Sequence, residues 1–272
     1  MTTQEFSNTF DTLLNSYASK ATFGDQASHQ EIVLDEYEKS VLLTQAQDII
    51  LKQYFERSNI NLGFDESTRR QVDFSNLVTV AEATPTAGNA NNKFAESSYL
   101  FALPTTTVTL PGESNTTQIS KVLFVLNEKL VLTKSQNPNR IYVVVPINYL
   151  EYDRQMSKPY SQPLKKQCWR LLQDNNVAST DGTLYAEIVV TDAAKAYITG
   201  GYSPKYKLRY IRRPRPIVLV SLADAGLSIE GVTAVTECEL NPILHMDILN
   251  KAVELALSTR GGRVPAREEQ RQ

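Results

Sequence analysis

The residues of this chain best equipped for chemistry are six cations crowded into thirteen positions. The run Pro204–Pro216 holds Lys205, Lys207, Arg209, Arg212, Arg213 and Arg215 and no acid, inside a 272-residue chain of formal net charge -2. Basic residues at that density, interleaved with tyrosines, are what a protein sets against phosphates. They equally suit the solvated face of one strand or a salt-bridged contact between subunits. The pI near 5.8 does not fit a surface built to coat nucleic acid, so any such contact is local. If Lys205–Ile211 is a strand, its two-residue period puts Lys205, Lys207 and Arg209 on one face and Tyr206, Leu208 and Tyr210 on the other. The tyrosines then belong to a core, out of reach of a stacking base. Arg212, Arg213 and Arg215 project where prolines end the strand.

Signatures of catalysis and metal binding are missing. His29 and His245, the two histidines, stand in no metal-binding spacing, and His245, on the first turn of an apolar helix, reads as a hydrogen-bonded structural residue. Cys238 lies close before it, but a zinc site needs two further ligands. Cys168 and Cys238 are the only thiols, too few for a disulfide framework, and both read as free in a reducing cytoplasm. Neither a P-loop nor a G-x-G-x-x-G nor a G-x-S-x-G occurs. Glu237 and Glu239, flanking a helix start, suit the helix dipole better than acid–base work. The reading is non-enzymatic: no catalytic residue, no cofactor and no metal.

The elements that must carry the basic run follow from hydrophobic period. Phe6, Phe10, Leu13, Leu14 and Tyr17 share one helical face. Asp35 and Glu38 form a capping-box-like start to a second helix, about Glu36–Arg57, with Leu42, Leu43, Ala46, Ile49, Ile50 and Tyr54 as its stripe. Asp65 is placed to cap a third, through Thr68, Val72 and Leu77. Strand runs then read at 99–103, 106–110, 122–133 (folding back near Asn127), 141–146, 167–172, 184–190, 206–211 and 217–222. A short helix at 149–156 with Asn148 as cap interrupts them. A last helix starts at Asn241-Pro242 and ends before Gly261-Gly262.

Helices first and strands after predict an α+β protein: a helical connector core of three N-terminal helices and a C-terminal one, with an inserted, mainly antiparallel β-rich region. The expected division is 1–80 with 236–260 helical, 81–97 a polar loop or linker, 98–235 β-rich and 261–272 a flexible tail. Loops 81–97 and 111–119 are candidates to order on assembly. The last helix is apolar on more than one side: Leu244, Ile248, Ala252 and Leu255 line one face, and Met246, Val253 and Leu257 lie nearly opposite. It is therefore packed on two sides, either centrally in the helical region or against another subunit, which makes Met246, Val253 and Leu257 candidates for oligomer packing. No run approaches the eighteen apolar residues of a membrane span, and Met1–Asp11 is polar and acidic, unlike a signal peptide.

Three segments together carry a family resemblance: Leu34–Gln47 (LDEYEKSVLLTQAQ), Arg209–Ile217 (RYIRRPRPI) and Thr236–Pro242 (TECELNP) leading into the last helix. They resemble the head-to-tail connector (ring or adaptor) proteins of crAss-like tailed bacteriophages, most of all the first ring beneath the portal. The resemblance covers the chain from its first helix to about Leu257. It implies a structural virion protein, assembled in the bacterial host cytoplasm into a homo-oligomeric ring of twelve copies. Such a ring docks on the portal protein, links it to further ring or tail proteins and surrounds the DNA channel without reading bases, with no membrane contact. The alternative reading is a sequence-independent nucleic-acid-binding module using the six cations of 204–216.

Overall fold

The computed structural model describes residues 1–21, 33–55, 74–86, 93–109, 116–158, 163–173 and 184–259. The architecture is α+β. Two compact units divide the chain, one of residues 1–77, 110–112 and 214–272, the other of 78–109 and 113–213. Residues 214–235, expected among the strands, group with the helices.

In the helical unit, α1 (Thr3–Ala21) buries Phe6, Phe10 and Leu14. Helix α2 (Glu36–Phe55) starts where the cap is expected, the Asp35 amide donating to Glu38 Oε2 at 3.3 Å. Its buried stripe is rotated from the apolar one: Ser40, Thr44 and Gln47 are buried beside Leu43, Ala46, Ile50 and Leu51. The reason lies in the segment after Pro214. Thr44 Oγ1 accepts from the Ile217 amide at 3.1 Å, Ser40 Oγ accepts from the Leu219 amide at 3.0 Å, and Gln47 Nε2 donates to the Arg215 carbonyl at 3.0 Å. In residues 217–222, expected as a strand, the Ile217 and Leu219 amides are thus satisfied by side chains of a helix, while Val218 pairs with Thr236 in one isolated bridge and the Leu222 amide donates to the Thr233 carbonyl. Lys39, also buried, ties α1 to α2 through Asp11 at 2.7 Å and Glu36 at 3.0 Å.

The last helix, α5 (His245–Thr259), packs against both α1 and α2. Its second apolar face is therefore covered within the unit at Val253, 1% exposed, and Leu257, 8% exposed, while Met246 at the start of the helix stays exposed. The Asn241 side chain caps the preceding 3-10 turn by accepting from the Ile243 amide at 3.2 Å, with Pro242 at its first position. Of the expected third helix, residues 56–73 lie outside the described residues, and Leu77 sits in a 3-10 turn at Ser75–Leu77.

The other unit is a seven-stranded sheet ordered β1-β9-β5-β6-β7-β8-β2, with a separate hairpin of β3 (Thr105–Thr109) and β4 (Thr116–Ser120). Its strands are β1 (Val78–Ala83), β2 (Ser98–Ala102), β5 (Val122–Thr133), β6 (Arg140–Pro146), β7 (Gln167–Gln173), β8 (Tyr185–Val189) and β9 (Ser203–Arg212). All pairings are antiparallel except β6 with β7. Residues 122–133 do not fold back at Asn127. They run as one strand along β9, with register shifts at Val122/Phe124 and Val125/Asn127, because an extra residue kinks a strand without reversing it. The sheet curls until Phe101 on one edge strand packs against Tyr206, their ring centroids 5.5 Å apart. The core inside the curl holds Leu130, Leu132, Tyr142, Val144, Ile188, Leu208 and Tyr210.

Two helices belong to this unit. Helix α3 (Tyr149–Met156) carries the expected Asn148 cap as a full capping box with Glu151. Helix α4 (Asp192–Thr199), capped by Thr191, buries Ala194 in the core. On the sheet's outer face, Trp169, Leu171 and Val189 are covered by Ala95, Tyr149 and Tyr152.

Candidate functional site

Of the basic run, residues 204–212 lie in β9, and its burial alternates as the period demands. Tyr206 is 1% and Tyr210 3% exposed, both in the core. Lys205, Lys207 and Arg209 point the other way. The first two close on one carboxylate: Glu82 on β1 lies 2.6 Å from Lys205 Nζ and 2.8 Å from Lys207 Nζ. Register makes this clamp, since Glu82 pairs directly with Lys207 and Lys205 follows two residues earlier on the same face. Hydrogen bonds from Lys205 and Lys207 hold the Glu82 carboxyl down at about 2. A depressed carboxylate is fully charged, and its pairing complete, above the ordinary carboxylate range; the pairing is lost as pH falls towards 2. An NMR titration of the Glu82 side chain is expected to show its midpoint there, moving up when both lysines are replaced by alanine; a wild-type midpoint in the ordinary range would show that the clamp is not held.

Beyond β9 the run changes unit. The half-buried Arg213 donates its backbone amide to the Lys121 carbonyl at 2.8 Å. Arg212, also half-buried, ends the strand. Arg215 belongs to the helical unit, where Glu239 accepts its backbone amide at 3.0 Å and lies 3.5 Å from its Nε. The structure thus gathers Lys205, Lys207 and Arg209 on one sheet face, while Arg215 belongs to the other unit. Among Met246, Val253 and Leu257, only Met246 is exposed. Sequence reasoning missed Glu82, whose position opposite Lys207 follows only from the pairing of two strands distant in the chain.

The remaining chemistry-bearing groups are structural. His245 is buried, its Nε2 donating to the Leu240 carbonyl at 3.1 Å while Nδ1 faces the Met1 ammonium at 3.3 Å. Burial lowers its pKa, so it stays neutral. Burial pushes the Cys168 thiol up to about 12 and that of Cys238 to about 11, which leaves both protonated and weakly nucleophilic. No group of three metal-ligating side chains converges among the described residues. His29 lies outside them. No described helix is long and apolar enough to cross a membrane.

A β-rich unit with a solvated basic sheet face, joined in sequence to a helical unit and lacking any convergent polar pocket chemistry among these groups, suits a structural component. The family model for phage tail ring protein 3/4 matches residues 1–267. The chain belongs to this family. Among its relatives, "Ring protein 4/5" of Bacteroides phage crAss001 is 36% identical over 271 residues, covering 98% of this chain and 96% of the relative. "Ring protein 3" of the same phage is 32% identical over 262 residues, covering 96% of each. Both are named ring proteins of a phage. Membership of the ring family extends over both units, so neither is an appendage foreign to the family.

Proposed function

We propose that the chain is a virion protein that closes into a homo-oligomeric ring of twelve copies at the head-to-tail junction, stacked on adjacent ring or tail proteins around the DNA channel. The observation that carries this reading is the family match over nearly the whole chain, 1–267. Both named relatives bear ring numbers after the first, 4/5 and 3, which favours a later ring over the one docked directly on the portal. The fold supports an architectural role. A ring subunit needs two different surfaces, because a head-to-tail contact closes by rotation. The arrangement around β9 lends no support to phosphate binding: its tyrosines are in the core and one carboxylate engages two of its lysines.

Quantitative mass spectrometry of purified particles, with a reconstruction of the neck, tests the proposal. The expected result is about a dozen copies per particle in a closed ring. Absence from particles, or presence in one or two copies, overturns it.

A further inference from the structure

The outer face of the curled sheet is half covered. Over β7 and β8 it lies under α3 and the 93–97 segment, whereas over β1, β9, β5 and β6 it keeps side chains such as Val80, Ile141 and Val143 exposed, with Val131 buried between them. Register lays Glu82, Lys207, Lys129 and Val143 in one row across these four strands, with Val80 opposite Arg209 and Ile141 opposite Val131 in the flanking rows. Val80 is 68%, Ile141 55% and Val143 58% exposed, and Arg209 and Lys129 are exposed with them. Four cations stand on this face against the single carboxylate of Glu82. Exposed apolar side chains threaded through cations mark a contact surface for a partner both apolar and acidic.

The chain itself contains a surface of that kind. Immediately after the basic run, residues 217–250 hold five acids, Asp224, Glu230, Glu237, Glu239 and Asp247, and no lysine or arginine. Within this stretch Val218, Leu222 and Ile229 are buried against Tyr37 and Val41 of α2, so the segment is a fixed platform on the helical unit. Packing those three inward leaves Val220, Leu227 and Val235 outward, 43%, 40% and 49% exposed, beside exposed Asp224 and Glu237. Each surface thus pairs three large aliphatic side chains with charge, and the charges are opposite.

We propose that the exposed basic face of β1, β9, β5 and β6 in one copy receives the acidic 220–237 platform of a second copy of this chain. The two surfaces differ, so the contact is heterologous and repeats from copy to copy; its closure into a ring rests on the functional reading above. Both surfaces are already ordered, which lowers the cost of docking them.

Charge reversal on each side, and on both at once, tests it in the full-length chain. Lys129→Glu with Arg209→Glu, and separately Asp224→Lys with Glu237→Lys, are each expected to reduce the ring population seen by native mass spectrometry by at least about tenfold, while the variant carrying all four changes recovers it. All four positions are exposed, so thermal melts should match wild type. If a reversal impairs folding, Lys129→Gln with Arg209→Gln supplies the same test by neutralisation. Rings at the wild-type level in either two-site variant, or no recovery in the fourfold one, overturn this contact while leaving the ring reading intact. A wild-type chain that stays monomeric at every concentration overturns the ring reading and this contact with it.

Discussion

Replacing Arg170 with leucine is expected to lower the stability of the β-rich unit by about 3–5 kcal/mol. Glu128 is buried and Arg170 half-buried, their side chains 6% and 12% exposed, with Arg170 Nε 2.8 Å from Glu128 Oε2. Tyr206 Oη donates to the same carboxylate oxygen at 2.7 Å. Burial pushes the Tyr206 hydroxyl far above its ordinary pKa, so it remains a donor. Arg170 Nε makes an ion pair without hydrogen-bond alignment. The attraction is therefore chiefly coulombic, and deleting the arginine leaves a carboxylate in the core with one neutral donor. Removing the whole network should do far less harm, because the desolvation of the charges disappears together with their attraction. The variant Glu128→Met, Arg170→Met, Tyr206→Phe is expected to regain most of the loss. Urea unfolding followed by tryptophan fluorescence reads this unit alone, since Trp169 is the chain's single tryptophan and lies within it. A single Arg170→Leu change that costs less than the triple change would show that the ion pair contributes nothing.

The core pair behind that prediction was half legible. Alternation in 205–211 placed Tyr206 inside, as found, because a period of two is a local property of the chain. The partner carboxylate was not legible, since a glutamate in a strand reads as solvent-facing until its strand is paired on both sides. The same limit explains β1. Val78–Ala83 alternates over only six residues, all half-buried or exposed, and its pairing partner β9 lies far along the chain. Helix α4 was missed because its eight residues are mostly alanine and polar, with a single buried side chain, Ala194. Caps fared better: Asp35, Asn148 and Asn241 each act over three residues or fewer, so sequence alone locates them. The double apolarity of α5 was also legible, but its cause was not. Whether α1 and α2 or another subunit covers the second face depends on packing between elements distant in the chain. At the basic run, composition announced the charge, and only the register showed that Glu82 engages two of its lysines.

Glu187→Ala is expected to cost about 3 kcal/mol and to loosen the segment before β2 rather than the sheet beneath it. Glu187 is 0% exposed, on the outer face of β8. Its carboxylate accepts the Ala95 amide at 2.8 Å and the Phe94 amide at 3.2 Å, and Ser98 Oγ is in hydrogen-bonding contact with it. Two backbone donors of an irregular segment are thus satisfied by one side chain, where a neighbouring strand would otherwise serve. Loss of the carboxylate orphans the buried Ala95 amide, worth about 1–3 kcal/mol, and leaves the half-buried Phe94 amide to find water. The Ser98 hydroxyl keeps a partner, because the Ala95 carbonyl lies 2.6 Å from it. The vacated volume beside Leu171 and Trp169 adds a cavity term. Glu187→Gln should fall between, since its oxygen still accepts from Ala95 while its amide nitrogen meets the Phe94 N–H as donor against donor. Hydrogen exchange separates the effects: in Glu187→Ala the amides of Phe94 and Ala95 should lose protection while those of β5 and β9 keep theirs. Uniform loss across the sheet would mean that the carboxylate supports the core itself, and unchanged protection at Ala95 would mean that it does not anchor the segment at all.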